Sequence, residues 1–208
     1  MNEKEKMLRG MIYDPSDPEL LNLRKKAHRL SIAYNQLDDD AGEEKEKILR
    51  ELMPNHGKNT YIQGPAQFDY GCFTSMGENC YANFNFTVLD TCPVTIGNNV
   101  FFGPNVSLYT PLHPLMHQER NLYKKEDGFY TDQEYGAPIV IEDDCWIAGS
   151  VTIGPGVRIG RGSVIGMGSV VIHDVPPHSL AAGNPAKVIR QISEKDSILL
   201  KKGLFPKD

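Results

Sequence analysis

No run in the 208 residues approaches the ~18 consecutive apolar side chains that a membrane span needs, and the opening Met1-Asn2-Glu3-Lys4-Glu5-Lys6 lacks the apolar stretch of a secretory signal. These absences lead to the expectation of a soluble, cytoplasmic protein. Positive charge is not in excess: 22 basic residues stand against 27 acidic ones, a formal charge of −5, which removes any global electrostatic case for binding nucleic acid or an acidic membrane. Cysteine is scarce. Cys72, Cys80, Cys92 and Cys145 form no CxxC pair and no zinc-like spacing, so in a reducing compartment they read as free thiols packed as small hydrophobes. The length fits one domain with appended elements.

What is abundant is a six-residue rhythm. Ile96, Phe102 and Leu108, then Ile141, Ile147, Ile153, Ile159, Ile165 and Val171, fall at every sixth position, with a small or acidic residue after most of them. An α-helix would show spacings of three and four, and a half-buried strand would alternate without interruption, whereas here brief alternation breaks at Gly97, Gly103, Gly154, Gly160, Gly166 and Gly168. Each hexad is therefore a very short strand and a turn. Units this small bury an apolar face only by stacking, so the spacing predicts coils of a parallel β-helix with the sixth-position side chains inside.

Residues 1–58 read as a helical cap. Leu20, Leu23, Ala27, Leu30, Tyr34 and Leu37 mark one helical face after a capping-box spacing at Ser16-Asp17-Pro18-Glu19, and a second helix runs from about Gly42 through Ile48, Leu49 and Leu52 to a stop at Pro54 and Gly57. A helical hairpin of this kind covers the unpaired strand edges at a solenoid's end. Residues 59–180 are the β-helix. Its first coils are irregular, with Ile62 and Phe68 in phase and extra residues expected around Met76 to Cys80. Between residues 109 and 138 a polar excursion interrupts a period that resumes undisturbed at Ile139, and residues 181–208 form a C-terminal segment and tail.

Three segments, Asn79-Cys80-Tyr81-Ala82-Asn83-Phe84-Asn85, His113-Pro114 and Ala181-Ala182-Gly183-Asn184-Pro185-Ala186-Lys187-Val188-Ile189-Arg190, resemble the hexapeptide-repeat acyltransferases, and within them the galactoside and maltose O-acetyltransferases. The region from Gly10 to Tyr34 is similar to that family's amino-terminal, acceptor-side helices. The resemblance implies a left-handed β-helix, a homotrimer, and transfer of acetyl from acetyl-CoA to a sugar hydroxyl in clefts between subunits. Handedness comes from the resemblance alone, because general crossover physics favours the right hand.

Acetyl transfer to an alcohol needs a base for the hydroxyl proton and donors for the developing oxyanion. His113 matches the family's catalytic histidine, and imidazole titrates near neutrality. Asn83 matches its Tyr-Ala-Asn-Phe segment, where an amide beside aromatics holds a hydroxyl or steadies charge; an asparagine ladder inside the coil is the other reading. Asp69, Tyr81 and Asp90 would line the acceptor site, with Asp17 and Arg24 from the cap, although Asp17 also reads as a helix cap. Glu134, where the excursion rejoins the coil, would orient His113 or the acceptor. For CoA, small residues at Ala148, Gly149 and Gly168 would admit an extended pantetheine, Trp146 offers an apolar wall, and Lys187 and Arg190 would meet phosphates. Met167 and Ile172 stand on the CoA side where relatives commonly carry smaller or hydroxylated residues.

Two other readings stay open on sequence. One is a zinc hydratase of the γ-carbonic-anhydrase type, with His113 and His117 as the neighbouring histidines, although a catalytic zinc needs three protein ligands. The other is a non-catalytic scaffold, for which the repeats suffice but the three segments go unexplained. The acetyltransferase reading expects no metal.

Overall fold

The computed structural model of the protein describes residues 1–204; the last four residues of the C-terminal tail lie outside the described residues. The hexads form the three faces of a prism. The first face carries Asn55–His56, Thr74–Met76, Val94–Ile96, Ile139–Ile141 and Arg158–Ile159. The second carries Tyr61–Ile62, Tyr81–Ala82, Phe101–Phe102, Trp146–Ile147, Val164–Ile165 and Ser179–Gly183, and Ala186–Gln191 folds back antiparallel along the last of these. The third carries Ala66–Phe68, Phe86–Leu89, Ser107–Tyr109, Thr152–Ile153 and Val170–Val171. All pairings between successive coils are parallel, and the register stacks like on like: Ile62, Ala82, Phe102, Ile147 and Ile165 pair in sequence up the second face.

Every sixth-position residue points inward and is at most 3 % exposed. A fully buried aliphatic side chain contributes roughly 1.5–3 kcal/mol, so the repeat is also the core. Strand pairing begins at Asn55 and runs through Gly183, which moves the solenoid's limits outward from the boundaries drawn at 58/59 and 180/181.

The first coils are regular in a way the sequence reading missed. Inward positions lie six residues apart except where the third face turns into the first, where eight residues separate Phe68 from Met76 and Val88 from Ile96. The extra residues therefore sit at this corner, before Met76 and not in the Met76 to Cys80 stretch. The excursion leaves from the same corner one coil later, after Leu108.

Two side chains staple the widened turns. Asp90 accepts from the backbone N–H of Tyr70 (2.8 Å) and Gly71 (3.1 Å) through Oδ1 and from the Thr74 hydroxyl (2.9 Å) through Oδ2. Thr110 Oγ1, one coil on, accepts from the Cys92 N–H at 2.9 Å. The corner between the first and second faces is held differently: Asn59, Asn79, Asn99 and Asp144 all adopt positive φ and form a side-chain ladder from coil to coil.

The cap comprises α1 (Glu3–Leu8), α2 (Pro18–Asn35) and α3 (Gly42–Leu52). α1 was not foreseen; Asn2 and Glu5 close a capping box on it. The box read at Ser16 and Glu19 does not form. Asp17 is the N-cap of α2, accepting from the Glu19 and Leu20 N–H groups, while Glu19 pairs with Lys4. At the other end of α2, the Asn35 amide donates to the Ala66 carbonyl and accepts from the Ala66 N–H, both at 2.8 Å, the two bonds a preceding strand would have made. Leu49, Leu52 and Met53 then close the core's end against Ile62 and Ala66.

Candidate active site

The two ends of the excursion zip together, Pro111–Leu112 pairing antiparallel with Tyr135–Gly136 so that Pro111 faces Gly136 and Leu112 faces Tyr135. Continuing that register sets His113 opposite Glu134. On the far side of Glu134 runs the N-terminal arm, bridged to it at Tyr13, and Gly10 is pressed so close to Gly136 that a Cβ at Gly10 would lie 2.4 Å from the Gly136 carbonyl oxygen. With φ at +70°, position 10 has both a conformational and a steric need for glycine.

His113 opens into a cleft of about 540 Å³. Arg24 and His28 of α2 and Asp69 form one wall; Leu122, Tyr130, Asp132 and Glu134 from the excursion form the other. The imidazole is 44 % exposed, with Nδ1 at 3.6 Å from Asp132 Oδ2 and Nε2 at 3.9 Å from Glu134 Oε1. Both distances exceed a direct hydrogen bond, so the ring is flanked by two carboxylates and free to engage a hydroxyl. The other oxygen of Glu134 accepts from the Tyr13 hydroxyl, which fixes its orientation. Across the cleft, burial raises the Asp69 carboxyl above its ordinary pKa against the opposing pull of Arg24 and His28, and His28 Nε2 lies 3.6 Å from Asp69 Oδ1. Arg24 donates to the Tyr70 hydroxyl and the Pro15 carbonyl, both at 3.3 Å, leaving guanidinium N–H groups over for a ligand.

Four of the expected residues, Arg24, Asp69, His113 and Glu134, therefore share one cleft. The other four, Asp17, Tyr81, Asn83 and Asp90, do not line it. Asp90 is wholly buried, its carboxylate engaged by the corner it staples, so it lines no open surface. Asp17 caps α2, and the cleft-lining residue is its neighbour Ser16. Tyr81 lies on the second face, stacked on Tyr61, and Asn83 on the corner between the second and third faces, away from His113. Asn83 is not a ladder residue. That position belongs to Asn85, which donates to Asn105, whereas Asn83 Oδ1 accepts only the neighbouring Phe84 N–H, and its Nδ2 has no partner among the described residues.

The corner that carries Asn83 also carries Gly103, Ala148, Gly149, Met167 and Gly168 in successive coils, with Gly168 N–H donating to the Gly149 carbonyl at 2.9 Å. Met167 is 81 % exposed on this edge, and a Cβ added at Gly168 would meet nothing within 4 Å. Trp146 stands half-exposed on the adjoining second face. Lys187 is exposed on the terminal hairpin, but Arg190 is held by Asp196 at 2.8 and 2.6 Å, so a phosphate would have to compete for it. Ile172 lies apart from this edge, just past the end of the third face, half-exposed.

Asp132, His28, Leu122 and Tyr130 were missed. The i, i+4 spacing of Arg24 and His28 was a usable signal; the pairing that brings Asp132 to His113 across the excursion was not visible in the letters. His117 begins a short exposed helix, α4 (His117–Arg120), and the one close set of metal-ligand types among the described residues joins His113 to Asp132 and Glu134 instead. The histidine pair of the zinc reading is thus not assembled within one chain.

Residues 6–57 match the maltose acetyltransferase hexapeptide capping motif, and residues 138–173 match six repeats of the bacterial transferase hexapeptide. The galactoside O-acetyltransferase of Escherichia coli K12 is 36% identical over 192 residues, spanning 92% of this chain and 90% of the relative. The chain belongs to the galactoside and maltose O-acetyltransferase family of hexapeptide-repeat acetyltransferases. The crystal structure of a maltose O-acetyltransferase from Clostridium difficile 630 superposes with a TM-score of 0.86 at 42% identity, covering 93% of this chain and 99% of its own. A hexapeptide-repeat acetyltransferase of Vibrio cholerae O1 biovar eltor, solved in complex with acetyl coenzyme A, superposes at 0.80 with 38% identity over 93% of this chain and 100% of its own. The solenoid is accordingly the left-handed β-helix of that family. The capping-motif match ends beside the strand that opens the first face, and the repeat match begins where the excursion rejoins the coil. No helix among the described residues is long and apolar enough to cross a membrane.

Proposed function

We propose that the protein transfers acetyl from acetyl-CoA to a hydroxyl of a sugar of the galactoside, glucose or maltose type. The observation that carries this reading is His113, half-exposed between two carboxylates in a cleft whose opposite wall presents Asp69, Arg24 and His28. Carboxylates and guanidinium groups of this kind accept from and donate to sugar hydroxyls. The acceptor oxygen attacks the thioester carbonyl as its proton passes to His113; the tetrahedral intermediate collapses, the C–S bond breaks, and the imidazolium returns the proton to the departing sulfur. A direct transfer also suits the cysteines. Burial raises all four thiols, Cys92 and Cys145 to about 11, so none is poised as a thiolate nucleophile for an acetyl-enzyme.

One chain does not hold the whole constellation. Asn83 and the Ala148, Gly149, Met167 and Gly168 edge lie on a different corner of the prism from His113, and the cleft around His113 contains none of them. A homotrimer closes the gap if the His113 corner of one subunit faces the Asn83 edge of the next, with the half-exposed Phe101 and Trp146 beside that edge partly covered. Acetyl-CoA would then lie along the edge, Asn83 at the reacting end and Lys187 toward the phosphates.

Mixing inactive variants tests both claims together. His113→Ala and Asn83→Ala subunits, each nearly inactive alone, should regain activity when co-refolded, because random cyclic assembly makes roughly one site in four native. Recovery to about that fraction of wild-type turnover, measured as free CoA thiol with a panel of sugars, is the expected result. No recovery from correctly assembled mixtures would put both residues in one subunit's site, and a monomer in sedimentation would remove the shared cleft. Failure of acetyl-CoA to raise the melting temperature would favour the scaffold reading.

A further inference from the structure

A histidine that takes a proton through one ring nitrogen must carry its hydrogen on the other, and that hydrogen needs an acceptor. Of the two carboxylates beside His113, Glu134 already has one oxygen engaged by the Tyr13 hydroxyl, and its other oxygen lies 3.9 Å from Nε2. Asp132 is uncommitted. Its carboxylate has no hydrogen-bond or ion-pair partner among the described residues apart from His113, whose Nδ1 it faces at 3.6 Å, and it is only 24 % exposed.

The backbone that carries Asp132 is anchored independently. Its neighbour Thr131 donates its hydroxyl to Asp14 of the N-terminal arm, and Lys125 of the same excursion reaches Asp14 at 2.9 Å. Burial opposes charge on Asp14, but the bonds from Ser16, Thr131 and Lys125 outweigh it and hold the carboxyl well below the usual range, so this anchor stays ionised. The antiparallel pair Tyr123–Lys124 with Tyr130–Thr131 ties the segment again. Asp132 is thus an acidic residue delivered to Nδ1 on a braced strand.

We propose that Asp132 is a positioning residue for His113: it accepts the Nδ1 hydrogen and so holds the imidazole in the tautomer that leaves Nε2 bare toward the acceptor hydroxyl. The inference rests on the base role proposed for His113. The 3.6 Å separation closes to a hydrogen bond as acceptor fills the cleft and displaces solvent, as contacts of this kind tighten from ligand-free geometry. The mechanistic consequence is division of labour between the two carboxylates. Asp132 sets the ring's protonation pattern; Glu134, held by Tyr13, is left to meet the acceptor.

The test compares full-length Asp132→Asn, Asp132→Glu and His113→Ala proteins. An asparagine can turn its NH₂ to Nδ1 and reverse the tautomer, so Asp132→Asn should lower kcat roughly 10- to 10³-fold, a part of what a positioned base supplies, with KM for acetyl-CoA unchanged within about twofold. Asp132→Glu should restore part of the loss. Independently of turnover, ¹⁵N spectra of the His113 ring should show hydrogen on Nδ1 in the parent and a mixture of tautomers in Asp132→Asn. Normal kcat in Asp132→Asn beside an inactive His113→Ala would overturn the positioning role and leave the base in place; normal kcat in both would remove the base itself. Loss of activity accompanied by loss of a bound metal, measured on the purified proteins, would make Asp132 a cation ligand and overturn the proposal.

Discussion

Replacing His113 with alanine is expected to lower kcat roughly 10²- to 10⁴-fold, the usual contribution of a positioned general base, while leaving assembly and CoA binding close to normal. The side chain makes no hydrogen bond to the described residues, lies 44 % exposed, and belongs to the excursion and not to the stacked coils, so its removal opens no cavity and breaks no coil pairing. Unfolding curves and oligomeric state should therefore match the parent. The corresponding change at His117 should be mild, because that residue is exposed on α4 and is not grouped with His113. Near-normal turnover in His113→Ala with the true acceptor, or equal damage from His117→Ala, would refute the base assignment.

The contrast between these histidines shows how the sequence was legible and where it was not. Periodicity exposed the inward stack because burial acts on each coil in the same way, and a six-residue rule therefore repeats in the letters. The corners follow no such rule. Where the third face meets the first, two extra residues are accommodated by a buried carboxylate, Asp90, and then by a hydroxyl, Thr110, two chemical solutions to one need for hydrogen-bond acceptors. A reading based on residue type placed Asp90 among the sugar-binding carboxylates, because nothing local distinguishes an acid that faces solvent from one that faces three donors.

The same limit applied to the site. Family segments located His113 and Asn83, and the place where the excursion rejoins the coil pointed to Glu134, but Asp132 reaches His113 through a pairing that spans the excursion. Asn83 and Asn85 are two residues apart, yet one has an NH₂ without a partner among the described residues and the other joins a ladder, a difference fixed by which of them takes the positive φ at the turn. Local sequence states the residue type; the corner geometry decides its use.

Asp90 supplies the largest expected effect on stability. Alanine there would leave the Tyr70 and Gly71 N–H groups and the Thr74 hydroxyl without an acceptor in a corner closed to water. With about 1–3 kcal/mol for each buried group left unsatisfied, and some relaxation, the loss should reach roughly 3–5 kcal/mol in denaturant unfolding at fixed protomer concentration. It should reach the cleft as well, since the same turn carries Asp69 and the Tyr70 hydroxyl that Arg24 contacts.

Asparagine separates hydrogen bonding from charge. Its carbonyl can serve the two N–H groups while its NH₂ donates to Thr74, the pattern a protonated Asp90 would make. Burial pushes the Asp90 carboxyl up to about 6, against the pull of its three donors, so the folded state binds this proton more tightly than the unfolded chain. The contribution is then fully present below the unfolded pKa near 4 and is lost as pH rises through 6. Wild type should accordingly lose roughly 2–2.5 kcal/mol relative to Asp90→Asn between pH 4 and pH 7, other titrating groups cancelling in the comparison. A difference that stays flat or moves the other way would mean that the three donors outweigh burial and that Asp90 is charged throughout this range, in which case asparagine should be the costlier residue at neutral pH.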